Sequence, residues 1–144
     1  MEQDPFGSLR DWGSVLDHVD VLTVHGQLDN CQAGLIRILR YKGNWRLREH
    51  VLKGLGEIES PCPQLLCQVL NIIDDDNLYY DVRILASDAL IQLLKKSEDG
   101  LDGEIGIQAR EVVDRLRTSP QPIFFDNALK HLHLELNGER NFEN

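Results

Sequence analysis

Clustered carboxylates, histidines and cysteines are the residues of this chain that could do metal or redox chemistry. The aspartate run 74–76 offers oxygen ligands of the kind that Ca²⁺ and Mg²⁺ prefer, but it lacks the alternating spacing and closing glutamate of an EF-hand loop. We interpret it as a solvated turn that caps the following helix. His131 and His133 would lie about 200° apart on a helix, and Cys62 and Cys67 miss the Cys-x-x-Cys spacing. We therefore predict no metal site and no cofactor.

Motifs for other chemistry and for targeting are missing as well. The sequence has no nucleotide-binding loop, no serine nucleophile elbow and no pair of catalytic carboxylates. Residues 1–5 lack the basic flank and apolar run of a signal peptide, and no stretch is apolar enough to span a bilayer. With an odd number of cysteines, three in all, reduced thiols are the better interpretation. These features predict a cytoplasmic protein without membrane contact.

One segment of the chain is strongly basic, although the chain as a whole is acidic. The net charge is −9 and the pI is near 4.9, which makes nucleic acid an unlikely partner. Between Arg37 and Lys53 the local balance is +5, which leaves −14 for the rest of the chain. The basic residues of this segment are Arg37, Arg40, Lys42, Arg46, Arg48 and Lys53. It is the only concentrated positive charge in the sequence.

Two stretches of the sequence resemble each other at a register of 35 residues. Leu47-Arg48 aligns with Val82-Arg83, and the apolar positions that follow stay in step, as Val51 with Ala86 and Leu55 with Leu90. Repeats of roughly 20–50 residues are typical of solenoids, in which each unit buries its apolar face against the next.

The spacing of apolar residues and helix breakers predicts about seven helices and no strand. We expect a single domain over residues 1–136, with its clearest repeats at 28–96, and a flexible tail at 137–144. The predicted helices span about Ser8–Val24, Leu28–Tyr41, Trp45–Ile58, Gln64–Ile73, Tyr79–Lys96, Glu104–Arg117 and Ile123–Leu136.

The second repeat copy carries the pattern of a known family. It opens on Asp-Val-Arg at 81–83, continues with small residues at Ala86 and Ala89, and follows a short helix headed by proline and an aspartate-rich turn. In this it resembles the short-repeat form of the HEAT-repeat family over about residues 28–96. The resemblance implies an all-α solenoid, a right-handed stack of about three helical hairpins with the first helix as a cap. It also implies structural roles for Arg48, Asp81 and Arg83, since such residues bond between layers or cap helices in similar repeats.

Some proteins that resemble this fold are enzymes, and the sequence can be compared with each. Deoxyhypusine hydroxylases hold iron with repeated His-Glu dipeptides, whereas this chain has only the reversed Glu49-His50, once. It has no distinctive motif of the phycobilin lyases. DNA glycosylases of similar layers need a basic groove with aromatics, which Tyr41, Trp45 and the basic segment imitate only in part in a short, acidic chain. We therefore predict that the chain is not an enzyme.

The remaining candidate is a binding surface for another protein. Arg, Tyr and Trp often dominate binding energy at interfaces. The leading hypothesis is a non-catalytic interaction module, a small adaptor, regulator or assembly factor, that binds an acidic segment of a partner.

The alternatives are an accessory or lyase-type subunit that binds a small ligand and, more weakly, nucleic-acid binding through the basic segment; the oligomeric state stays open. Trp45 could instead belong to the core, and Arg40 and Lys42 could only complement a helix end. The candidate binding residues are Arg37, Arg40, Tyr41, Lys42, Trp45, Arg46 and Lys53.

Overall fold

The structure is a computed structural model that describes residues 3–138, and all of its regular elements are helical. Three 3₁₀ turns, at Leu28–Cys31, Leu55–Glu57 and Gly100–Asp102, separate or extend the α-helices. The prediction of an all-α protein is confirmed for the described residues. The α-helices are α1 Trp12–Val24, α2 Gln32–Arg40, α3 Trp45–Gly54, α4 Pro63–Ile73, α5 Tyr80–Lys96, α6 Glu104–Leu116 and α7 Ile123–Asn137.

The helices contact one another in a regular order. Sequence neighbours pack as pairs, α2 with α3, α4 with α5 and α6 with α7. In addition α4 contacts both α2 and α6, and α1, α3, α5 and α7 contact one another in that order. The helices therefore fall into two rows, with α2, α4 and α6 in one and the other four in the second.

The residues that repeat at the 35-residue register are the ones that fill the core. Leu47 and Val82, Val51 and Ala86, and Leu55 and Leu90 are all buried. Helix α5 lies between α3 and α7 in its row, and its buried face is correspondingly wide, with nine residues of which seven are apolar. The apolar spacing of the sequence thus marks the residues that pack between neighbouring helices.

Local sequence signals explain where several helices begin and end. Asn44 Oδ1 accepts a hydrogen bond from the Arg46 backbone N–H at 2.9 Å, which satisfies one of the free amide groups at the start of α3. Pro63 is the first residue of α4, where its missing N–H costs nothing. At the end of α5, Lys96 Nζ donates to the carbonyls of Gly56 and Ile58 and ties this end to the segment after α3.

The first helix begins at Trp12 rather than at the predicted Ser8, because the preceding residues fold against α2 instead of continuing the helix. In this segment Phe6 and Leu9 are buried. The Gly34 N–H donates to the Gln3 carbonyl at 3.0 Å. This close approach needs a glycine, since a Cβ on Gly34 would lie 2.6 Å from the Phe6 ring.

Three other boundaries and one predicted helix cap differ from the sequence predictions. The second predicted helix is divided, because Leu28–Cys31 is a 3₁₀ turn, and the third ends at Gly54 before another such turn. The aspartate run does not cap α5: the N-cap position is Tyr79, and no side chain hydrogen-bonds there. Asn137, predicted to open the tail, is the last residue of α7, and Gly138 follows with a φ of 65°. The rest of the predicted tail, 139–144, lies outside the described residues.

Among residues 3–138, none of the helices combines the length and the apolar character that crossing a membrane requires.

Candidate functional site

Two arginines at equivalent repeat positions, Arg48 and Arg83, are buried and point to the helix that precedes their own. Arg48 Nη2 donates to the Tyr41 carbonyl at 2.8 Å, just after α2, and Arg83 Nε donates to the Ile73 carbonyl at 2.9 Å, at the end of α4. Each arginine thereby satisfies one of the carbonyl groups that a helix end leaves without a partner. Asp81 is exposed in the first turn of α5, where its charge complements the helix dipole.

The two guanidinium groups differ in what surrounds them. Arg83 Cζ lies 4.4 Å from the ring centroid of Phe125 and 5.4 Å from that of Tyr80. Arg48 has no such ring contact, and its buried Nε has no hydrogen-bond partner among the described residues. Burial lowers the pKa of both groups. Asp75 opposes this shift at Arg48, and Tyr80 and the aspartates at 74–76 oppose it at Arg83. The two repeat copies therefore hold one arginine covered by aromatic rings and one without that cover.

Arg37, a predicted binding residue, is engaged within the chain. Its Nε and Nη2 donate to the two carboxylate oxygens of Asp4 at 2.6 and 2.9 Å, and Nη2 also donates to the Gly7 carbonyl at 2.8 Å. This bidentate pair holds the pKa of Asp4 below its usual range and raises the pKa of Arg37. Arg37 therefore fixes the segment before α1, while 41% of its side chain is exposed, and its role in binding stays a prediction.

We expect the Asp4 carboxyl to titrate below the value of about 3.9 for an exposed aspartate. A lowered pKa in the folded state stabilises the fold above the unfolded pKa, and that contribution is lost as the pH falls through the folded pKa. The segment before α1 should therefore loosen only below about pH 4. Carboxyl ¹³C NMR can follow the titration, and Arg37→Gln should return the Asp4 pKa towards its ordinary value. An equally low midpoint in that variant would contradict the assignment of Arg37 as the cause.

Five of the predicted binding residues surround the connection between α2 and α3, and we call this group the loop surface: Arg40, Tyr41, Lys42, Trp45 and Arg46. Trp45 is 48% exposed, so it is not a core residue, and Arg46 Cζ lies 4.8 Å from the centroid of its ring. Arg40 Nε donates to Gln68 Oε1 at 2.9 Å, while Lys42 is exposed beyond the end of α2. The loop surface thus presents stacked aromatic and cationic groups together.

Depressions lie on both sides of the loop surface. On one side an open groove of about 470 Å³ is lined by residues that include Arg10, Arg37 and Arg40. Sequence reasoning missed Arg10, because it lay within the predicted first helix and outside the basic segment. On the other side a cavity of about 300 Å³ separates Lys42 and Trp45 from the α4–α5 connection. Its outer wall includes Tyr79, which is 78% exposed.

Lys53, the seventh predicted binding residue, lies apart from the others. It is exposed near the carboxyl end of α3, eight residues after Trp45 and so about 12 Å along the helix axis. The basic segment is contiguous in sequence, but its residues therefore do not all lie on one surface.

The groups considered for metal or redox chemistry are dispersed. Within residues 3–138, no three His, Cys, Asp or Glu side chains are placed so that they could hold a metal ion. Asp74 Oδ2 accepts from Arg115 Nη2 at 2.8 Å, which also raises the pKa of Arg115. Cys62 is half-buried and Cys67 is exposed.

Fold and surface together define an all-α protein with a cationic, aromatic patch on an acidic chain. No protein-family model, curated protein or solved structure matches this chain.

Proposed function

We propose that this chain is a short HEAT-like solenoid that acts as a non-catalytic protein-interaction module in the cytoplasm. The 35-residue register and the two rows of helices support the solenoid assignment. Repeats of this kind offer binding surfaces built from neighbouring helices and their connections. The loop surface lies at the α2–α3 connection. The α4–α5 connection is its neighbour, because α2 contacts α4 and α3 contacts α5.

The observation that carries the functional proposal is the exposed Trp45 with Arg46 stacked on it and Arg40 and Lys42 beside it. A half-exposed tryptophan provides apolar area that is worth burying, and the adjacent cations provide specificity for negative charge. We propose that an acidic segment of a partner protein binds here. A long nucleic acid fits less well, since the rest of the chain carries a net charge of −14 and would repel a continuous phosphate backbone.

Charge-matched variants test this proposal. Arg40→Glu, Lys42→Glu and Arg46→Glu together should weaken binding of acidic peptides by about 100-fold or more, because attraction becomes repulsion at the contact. The control combines Lys53→Glu, Arg117→Glu and Lys130→Glu, three exposed positions elsewhere that change the net charge equally. Its binding should stay within a few-fold of the unsubstituted chain.

The measurement is binding of the full chain to an array of twelve-residue peptides, followed by fluorescence titration of the best acidic one. Circular dichroism must show the same helical signal for both variants. If the array selects no acidic peptide, or if both variants bind the selected peptide equally, the proposal is wrong.

A further inference from the structure

The cavity between the α2–α3 and α4–α5 connections lies beside Arg48, whereas aromatic rings cover Arg83 at the matching position of α5. The third residues of α3, α5 and α7 are Leu47, Val82 and Phe125, all buried. Phe125 of α7 extends its ring over Arg83 of the preceding helix in the row, α5. Val82 holds the same position in α5, but its side chain is too short to cover Arg48 of α3. The missing ring leaves a cavity of about 300 Å³ with Arg48 and Val82 in its wall, which we call the Arg48 cavity.

Only 6% of the surface of Arg48 is exposed, and the charge of its guanidinium is opposed at a distance by Asp75. No carboxylate of the described residues lies within 4.0 Å of it, and Nη2 makes its hydrogen bond to the Tyr41 carbonyl. A guanidinium has five N–H donors, and the buried Nε–H has no acceptor among the described residues. A buried charge of this kind is costly unless it is paired, so a carboxylate that reached the guanidinium would offset part of that cost.

The wall of the Arg48 cavity combines charge with apolar surface. Lys42 adds a second cation, while Trp45, Leu78 and Val82 provide apolar groups. Asp75 also lines the cavity and opposes an incoming anion, although its Oδ1 is engaged by the Asn77 N–H at 2.9 Å. Two cations against one carboxylate leave a net positive site. A smaller cavity of about 200 Å³ adjoins it through Lys42, Arg48, Asp75 and Leu78 and adds Arg40 to the lining.

We propose that the Arg48 cavity is a carboxylate-binding site that takes one acidic side chain of the partner segment, with a neighbouring apolar side chain of that segment against Trp45, Leu78 and Val82. This inference rests on the proposed function and deepens it, because it names a mixed acidic and apolar motif rather than negative charge alone. The planar guanidinium suits a carboxylate, which can accept two parallel N–H bonds.

The test uses butanoate, a carboxylate with a short apolar tail, and butanamide, its neutral counterpart of the same shape. Titrated into ¹⁵N,¹³C-labelled full chain, butanoate should shift the Arg48 Nε–H resonance and the methyl resonances of Leu78 and Val82. Butanamide should leave the Arg48 Nε–H resonance in place. Arg48→Lys assigns that resonance and keeps the positive charge. Equal shifts with both compounds, or none with either, would overturn the site.

Two further variants have opposite expected effects. Asp75→Asn should tighten butanoate binding about three- to tenfold, because one opposing charge is removed. Val82→Phe should weaken it at least about tenfold, because a ring would then cover Arg48 as Phe125 covers Arg83. If Val82→Phe does not fold, Asp75→Asn decides alone, and unchanged affinity in that variant would overturn the inference.

Failure of this inference can be told apart from failure of the proposed function. A selected acidic peptide that binds the loop surface while butanoate leaves Arg48 unmoved contradicts only the Arg48 cavity. Butanoate binding at Arg48 without any acidic peptide contradicts the partner proposal and leaves the carboxylate site in place.

Discussion

Phe125→Ala should lower the free energy of unfolding by about 3–5 kcal/mol, the range for removal of a fully buried phenylalanine. The Phe125 side chain is 0% exposed and lies 4.4 Å from the Arg83 guanidinium and 5.1 Å from the Tyr80 ring centroid. Its loss leaves a cavity between α5 and α7 and removes the aromatic cover of a buried cation. Urea unfolding followed by circular dichroism gives the free energy.

The neighbouring Phe124 provides the matched control. It is 52% exposed and contacts Tyr80 only edge-on, with the ring centroids 6.1 Å apart. Phe124→Ala should therefore cost less than about 1 kcal/mol. Comparable losses in the two variants would contradict the assignment of Phe125 as a core residue between α7 and α5.

Gly106→Ala should destabilise the fold by about 2 kcal/mol or more, in the range of overpacked sites that cannot relax. A Cβ at this position in α6 would lie 2.0 Å from the Leu101 carbonyl oxygen, and this neighbour is backbone rather than a side chain that can move. The 3₁₀ turn Gly100–Asp102 would have to shift away from α6 to accept even one methyl group.

Gly13→Ala is the control, and we expect it to change the stability in the opposite direction. Gly13 lies in α1 with open space where its Cβ would be, so alanine should stabilise the helix by up to about 1 kcal/mol. Thermal unfolding monitored by circular dichroism compares the two variants. A gain in stability for Gly106→Ala would mean that the turn and α6 do not pack as closely as described.

The sequence predicted the helices well where local signals coincide. Pro63 at the head of α4 and the lysines at the end of α5 mark boundaries that the structure reproduces within a residue. The predicted start of α1 was wrong, because the interactions that hold the preceding segment against α2 join residues distant in sequence. Arg37 binds Asp4 across 33 residues, and Gly34 admits the Phe6 ring. Periodicity along one helix carries no information about such contacts.

The candidate site was predictable in composition but not in arrangement. The basic segment indicated Trp45 and its neighbouring cations, and Trp45 is in fact exposed. Nothing in that segment shows that Arg37 is engaged by Asp4. The difference between Arg48 and Arg83 was equally hidden, because it depends on Phe125 in a helix that lacks the repeat's Asp-Val-Arg opening.

We propose that this acidic chain carries a surface for acidic partner segments at the α2–α3 connection. The most direct test is to titrate ¹⁵N-labelled full chain with the best acidic peptide of the array and to map the backbone amide shifts. We predict that the largest shifts fall in residues 40–48 and 75–82, which form the loop surface and the wall of the Arg48 cavity. Largest shifts elsewhere, such as in α6 and α7, would contradict this location of the binding surface.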